Sequence, residues 1–142
     1  MVATTDSVQR RSLPAQKLEA LGVGIVYLFG SYAEGVAGPT SDIDIGVVFC
    51  DGSPVTRNTS PFYAALYDIF VDCFDMSNFR TIDIVFLQRA SLELRFDAIT
   101  HGVVLYEISS EFRLEFEEHT AALYRDFQPV LRQFNRTILE RV

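Results

Sequence analysis

Two aspartates stand two residues apart in an otherwise apolar segment. Asp42 and Asp44 lie in the stretch SDIDIGVVF, which predicts a β-strand. Alternate residues of a strand point to the same face, so the two side chains project together, with their stems about 7 Å apart. Carboxylates that close raise each other's pKa unless a cation or a donor compensates. The spacing favours a divalent metal site, although a solvated pair at a sheet edge explains SDID alone equally well.

A third aspartate lies in a second apolar run. Asp83 stands in TIDIVFL, residues 81–87, and three carboxylates converge if this strand neighbours the strand at 43–49. Hard oxygen ligands suit Mg²⁺, which leaves coordination sites for water and phosphate oxygens. Such a site can hold two ions about 4 Å apart. His101 and His119 are isolated in the sequence, so no zinc alternative arises.

A glycine-rich stretch precedes the aspartates. Gly30 and Ser31 follow an apolar run, and Gly35 and Gly38 lie in the predicted turn. Glycines let backbone N–H groups approach an anion closely. The Ser31 hydroxyl can donate to a phosphate oxygen or cap a helix, and Ser41 can cap a turn or contact phosphate. The stretch is interpreted as a phosphate-binding loop beside the metal site.

Composition limits the class of protein. The chain has 142 residues, 49% of them hydrophobic, which is typical of one globular domain. Its formal charge is -7, so it lacks the positive field of a nucleic-acid-binding protein, and nucleic acid is not expected as a main partner. No apolar run approaches the roughly 20 residues of a membrane span, and no secretory signal is recognised. Cys50 and Cys73 are interpreted as reduced thiols in a cytoplasm.

Periodicity predicts the elements that position these residues. Apolar runs predict strands at 23–30, 43–49, 81–87 and 103–107. Helices are predicted at 13–21 with Pro14 in the first turn, at about 61–73 after a Ser60 N-cap, and over 90–102 with Ser91 as N-cap and Gly102 as the stop. Arg95, on the last of these helices, is expected to form a surface ion pair, with contact to a bound nucleotide as the alternative.

The periodicity of the C-terminal region predicts one long helical segment over residues 110–141. Pro129 lies inside it and is expected to kink or split the helix. We predict an α+β fold: a small mixed sheet flanked by helices, in a single domain over 1–142 with a core at about 13–107 and a helical segment at about 109–141. Part of the apolar stripe on this segment is expected to bind a partner or a second copy of the chain. The stripe comprises Phe112, Phe116, Leu123, Phe127, Val130, Phe134 and Ile138.

These motifs together resemble a known signature. GSYAEG followed by SDIDIGV and a later IDIVFL is similar to the signature of nucleotidyltransferases of the DNA polymerase β superfamily, GS-x-x-x-G, then [DS]D-x-D and a third Asp on a strand. The small size and the segments LRFDAITHGVVLYE and YRDFQPVLRQF most resemble the minimal nucleotidyltransferases (MNT type), which serve as antitoxins of HEPN toxins.

The resemblance implies a chemistry and a nucleotidyltransferase-like fold. An enzyme of this family uses ATP and two Mg²⁺ ions to transfer AMP to a hydroxyl. In MNT–HEPN pairs the acceptor is a tyrosine of the toxin, which makes a HEPN-type toxin the expected partner. Carried over by position, Gly30, Ser31 and Ser41 would bind phosphates. Asp42 and Asp44 would bridge the metals, and Asp83 would hold the catalytic metal.

One departure from the family keeps a second hypothesis open. Many relatives carry Arg where this chain has Glu34, and a carboxylate near a triphosphate repels it. The chain could therefore be a binding antitoxin without strong catalysis. A small-molecule nucleotidyltransferase of the aminoglycoside-modifying kind fits less well, because 142 residues leave little room for a separate substrate-binding domain.

Overall fold

The structure is a computed structural model that describes residues 12–30, 42–51, 60–74, 76 and 81–140. Within these ranges the chain forms four strands and four helices. In chain order they are α1 (Ala15–Ala20), β1 (Val23–Phe29), β2 (Ile43–Phe49), α2 (Ser60–Cys73), β3 (Ile82–Phe86), α3 (Leu92–His101), β4 (Val103–Glu107) and α4 (Ser110–Glu140).

The four strands form one mixed sheet in the order β3-β2-β1-β4. β1 pairs antiparallel with both β2 and β4, whereas β2 and β3 are parallel. All seven residues of β1 are buried, as expected for a central strand with a helix layer on each face. The predicted α+β class, with a small mixed sheet and a long C-terminal helix, is confirmed. The predicted division at residues 107–109 stays a prediction.

Each face of the sheet carries its own apolar core. One core joins alternate strand residues such as Val26 and Ile45 to Leu18 of α1 and to Leu66 and Phe70 of α2. The other core lies under α3 and α4 and contains the residues Ile25, Tyr27, Phe29, Val48, Leu87 and Ala98. Because strand side chains alternate between faces, residues of β1 contribute to both cores.

The helix boundaries largely agree with the sequence signals. Ser91 caps α3, since its Oγ accepts a hydrogen bond from the Leu94 N–H at 3.2 Å, and Gly102 ends the helix as predicted. Pro14 stands at the N-cap of α1 rather than in its first turn, because its backbone is extended. Ser60 is itself the first residue of α2, so this helix begins one residue earlier than predicted.

The long C-terminal helix is not divided at Pro129. α4 runs from Ser110 to Glu140 with the proline inside it, so the expectation of a split is wrong. Proline lacks one N–H group and therefore removes a single hydrogen bond to the residue four positions earlier. Pro129 is exposed, so the carbonyl left without a donor can be hydrated.

A close contact and a polar network hold the start of α4 on the sheet. A Cβ atom at Gly24 would collide with the Phe112 ring, so glycine is what lets this ring reach β1. One helical turn later, the Tyr27 hydroxyl donates to Glu117 Oε2 at 2.7 Å. Arg113 bridges Glu107 and Glu117, at 2.5 Å and 3.1 Å. These contacts make α4 follow β1 in the same direction.

Candidate active site

The register of the sheet brings the three predicted aspartates to one end. Asp44 of β2 is the Cα partner of Asp83 of β3 in the parallel pair. Asp42 directly precedes β2 and accepts a hydrogen bond from the Thr81 hydroxyl at 2.6 Å. The Ile43 N–H donates to the Thr81 carbonyl at 2.8 Å, which fixes this register. The condition set by the sequence, that the two strands be neighbours, is met.

The electrostatics of this end depend on Asp44. The pKa of Asp44 is raised to about 6, mainly by burial and in addition by the negative charges of Asp83 and Asp42. Asp42 and Asp83 themselves are exposed. A cation at this end would relieve the repulsion that Asp44 feels in its charged form.

Gly30 lies against the central carboxylate. Its φ angle is +73°, a left-handed conformation that residues with a side chain rarely adopt. A Cβ atom at this position would collide with Asp44 Oδ2. Two independent constraints therefore favour glycine where β1 ends: the left-handed backbone of Gly30 and the close approach of Asp44.

The residue types fit a hard divalent cation. Carboxylate oxygens are the ligands that Mg²⁺ prefers. A bound cation would also reduce the electrostatic repulsion between Asp44 and the two neighbouring carboxylates. Across the ranges described above, however, no three His, Cys, Asp or Glu side chains are arranged around one point as metal ligands. The three aspartates thus lie at the same end of the sheet and interact electrostatically. Their side chains are not arranged as a complete set of metal ligands.

The predicted phosphate-binding loop falls largely outside the described residues. Gly30 is described, whereas Ser31, Glu34 and Ser41 are not. Their predicted roles stay predictions.

Sequence reasoning missed Thr81 and placed Arg95 wrongly. Thr81 stands two residues before Asp83, just as Asp42 stands two before Asp44, so the parallel register could have indicated their contact. Arg95 is half-buried, and its Nε is buried without a hydrogen-bond partner among the described residues. This burial of Nε explains why Arg95 forms no ion pair within the part of the chain that the structure describes. His101 is not isolated, because its Nδ1 lies 3.0 Å from Asp97 Oδ1.

The solved structures that resemble this fold include three toxin–antitoxin complexes. A toxin–antitoxin complex with AMP-PNP contains a chain that is 24% identical, with a TM-score of 0.67, covering 88% of this chain and 94% of that one. An MNT antitoxin in complex with a tri-AMPylated HEPN toxin from Shewanella oneidensis is 21% identical, with a TM-score of 0.62 and coverages of 88% and 92%. A chain of an MntA–HepT toxin–antitoxin complex is 21% identical, with a TM-score of 0.61, and the match covers 88% of this chain and 92% of that one.

Two further findings complete the description of the chain. A search of curated protein sequences finds no match. None of the helices within the described ranges is long and apolar enough to cross a membrane.

The family follows from a sequence model. The model of the polymerase β nucleotidyltransferases matches residues 16–111, which is more than half of the chain and includes all three aspartates and Gly30. The predicted recognition is confirmed at this level, and so is the class of enzyme. The chain belongs to the polymerase β family of nucleotidyltransferases.

Proposed function

We propose that the protein transfers AMP from ATP to a hydroxyl group of a partner protein, a tyrosine of a HEPN-type toxin, and thereby acts as its antitoxin. The observation that carries this proposal is the convergence of Asp42, Asp44 and Asp83 at the end of the sheet where Gly30 contacts Asp44. Solved structures of the same fold contain AMP-PNP or an AMPylated HEPN toxin, which supports the choice of nucleotide and acceptor. Because such a reaction uses ATP, we propose that the protein acts in the cytoplasm.

The three carboxylates would hold two Mg²⁺ ions. Asp42 and Asp44 would bridge both ions, and Asp83 would bind the ion beside the acceptor hydroxyl. When bound, the metal supplies positive charge to the phosphate oxygens and to the acceptor oxygen. The raised pKa of Asp44 supports this role, because its carboxylate is poorly compensated by the protein alone.

The glycine-rich loop would bind the triphosphate. Gly30 permits the close backbone approach that an anion requires, and Ser31 and Ser41 would donate hydroxyl hydrogen bonds to phosphate oxygens. The acceptor oxygen forms a bond to the α-phosphorus, and the bond from that phosphorus to the β-phosphate oxygen breaks. Pyrophosphate leaves, and the hydroxyl proton passes to solvent. Positioning and charge neutralisation supply most of the acceleration in such a transfer.

A binding antitoxin is the second candidate. Glu34 in the phosphate loop and the lack of a ready-made coordination shell within the described residues favour it. Such a protein would neutralise its partner by contact alone.

Transfer of radiolabel separates the two candidates. Wild-type protein, Mg²⁺ and the product of the neighbouring gene, which the proposal takes as the HEPN-type toxin, are incubated with ATP labelled at the α- or the γ-phosphate. We expect label on the toxin only from α-labelled ATP, and none with the double variant Asp42→Asn/Asp44→Asn. Asp68→Asn, an exposed aspartate on α2, is the matched control and should transfer normally. Tight binding of the toxin without label from the wild type would instead establish the binding antitoxin.

A further inference from the structure

We infer that the second half of α4, residues 125–140, is a docking arm that holds the acceptor protein in front of the three carboxylates. This inference rests on the proposed function, because it assigns the surface that receives the proposed substrate. The arm is defined here as the part of α4 that follows Tyr124.

The direction of α4 brings the arm to the catalytic end of the sheet. Phe112 packs at Gly24 and Glu117 bonds to Tyr27, so the helix advances along β1 towards Phe29. Phe29 is the Cα partner of Asp44. Phe29 also belongs to the core that packs against Phe112 and Phe116, so α4 and the aspartates share one face of the sheet.

The length of α4 then carries it past the sheet. Only about 7 Å of β1 follow Tyr27, given the rise of a strand. About 35 Å of helix follow Glu117, at 1.5 Å per residue. Tyr124 of α4 stacks on Phe96 of α3, with ring centroids 3.9 Å apart. The arm therefore extends beyond the end of the sheet that carries the carboxylates.

The arm presents apolar side chains that its own domain does not cover. Phe127 is 41% exposed, Val130 55% and Phe134 61%, and Leu123 just before the arm is 38% exposed. Their spacing of four, three and four residues places them on one stripe of the helix. None of them belongs to either apolar core. A stripe of this kind fits a groove on a partner protein, in the manner of a helix-in-groove complex.

The charge of the arm indicates which charge the partner's surface should carry. The sequence of the arm contains three arginines (Arg125, Arg132 and Arg136) and two acidic residues (Asp126 and Glu140), so the arm is slightly basic although the whole chain carries -7. We therefore expect an apolar groove with an acidic rim on the acceptor protein.

A second copy of the chain is the competing occupant. Pairing of two copies through this stripe would bury Leu123 and the three exposed apolar residues of each arm, a smaller contact than the about 20–30 residues a side of a standard interface. It would also place two basic segments together. A protein that reaches the carboxylates contacts both the arm and the end of the sheet, so it gains a larger interface. The geometry favours the acceptor protein.

The test separates docking from chemistry. Phe127→Glu/Phe134→Glu is compared with wild type in AMP transfer to the same toxin that serves as acceptor in the radiolabel experiment, and to tyrosine amide as a small acceptor. We expect KM for the toxin to rise about tenfold or more, whereas kcat/KM for tyrosine amide stays unchanged. Leu114→Glu is the matched control, because Leu114 is 49% exposed on the first half of α4 and lies outside the arm. It should leave both reactions unchanged.

Each outcome is decisive. An unchanged KM for the toxin in the double variant overturns the docking arm while the proposed function stands. Absence of transfer by the wild type defeats the proposed function, and binding of the toxin, measured by calorimetry with the same variants, then tests the arm by itself. Sedimentation tests the remaining alternative, pairing of two copies of the chain. If the wild type is a dimer and the double variant is a monomer that still transfers AMP to the toxin normally, the stripe serves self-association. Thermal unfolding of each variant verifies that it is folded.

Discussion

At the scale of single residues, Asp44 links the stability of the protein to pH. Its pKa is about 6 in the folded protein and 3.8 in a model peptide, so the folded state binds more protons between these values. Stability should therefore fall as pH rises from about 4 to 6, in Mg²⁺-free buffer. Asp44→Asn removes this cost, and we expect it to raise the free energy of unfolding at pH 7.5 by roughly 1–2 kcal/mol after allowance for solvent screening.

Asp44→Asn should also lose AMP transfer. A variant that is more stable than the wild type but inactive is the expected result. Urea unfolding of both proteins at pH 4 and pH 7.5 measures the first effect. The gain should disappear at pH 4, where Asp44 is protonated in the folded wild type. A gain that persists at pH 4 would show that repulsion among the carboxylates is not its cause.

A metal readout that does not need activity tests the same residues. Mg²⁺ at millimolar concentration should raise the melting temperature of the wild type at pH 7.5, because an ion that binds only the folded state stabilises it. Asp42→Asn/Asp44→Asn should not respond. An equal response of both proteins would place the Mg²⁺ effect elsewhere in the chain.

Gly30 offers a prediction with an internal control. Gly30→Ala introduces strain at φ +73° and a collision with Asp44 Oδ2, whereas Gly22, at φ +79°, has no atom within 4 Å of an added Cβ. Both substitutions should cost about 1–2 kcal/mol of stability for the conformation. Only Gly30→Ala should also abolish AMP transfer. Equal activities of the two variants would mean that Asp44 need not stay in place for the reaction.

At the scale of elements, the network between β1 and α4 should stabilise the long helix. Tyr27→Phe leaves the Glu117 carboxylate without its hydroxyl donor, and we expect a loss of roughly 1–3 kcal/mol in the free energy of unfolding. Combination with Glu117→Gln in a double-mutant cycle measures the coupling. Losses that simply add would indicate that the hydrogen bond contributes nothing specific to stability.

The elements were largely predictable from the sequence, because most of their signals are local. The strands at 23–29 and 43–49 are runs of apolar residues, and burial of the whole of β1 explains the strength of that signal. Asp42, Asp44 and Asp83 could be proposed together only on the condition that β2 and β3 are neighbours. That pairing joins residues far apart in sequence, and local patterns do not encode it.

The errors have the same physical origin. Continuity of α4 through Pro129 and the inward position of Arg95 both depend on surroundings that no local pattern contains. Likewise, the contact of Gly30 with Asp44 joins two strands, so the sequence could suggest an anion-binding glycine but not its second role.

At the scale of the whole molecule, the catalytic body and the arm should be separable. Both apolar cores and their partly buried neighbours end at Phe116, and the contact of Tyr124 with Phe96 precedes the arm. A chain ending at Tyr124 should therefore unfold in urea within about 0.5 kcal/mol of the full chain, but bind the HEPN-type toxin at least about tenfold more weakly. Marked destabilisation of the shortened chain would mean that the arm supports the fold instead.

The parallel pairing of β2 with β3 has one more consequence. Hydrogen bonds from Ile43 N–H to Thr81 and from Leu87 N–H to Val47 join the two strands across the sheet, so their pairing does not require a continuous peptide chain between them. Asp42 and Asp44 thus belong to one covalent segment and Asp83 to another. A gene cut between the codons for Asp51 and Ser60 should yield two polypeptides that assemble on co-expression into a split enzyme, inactive as separate halves and active as a pair.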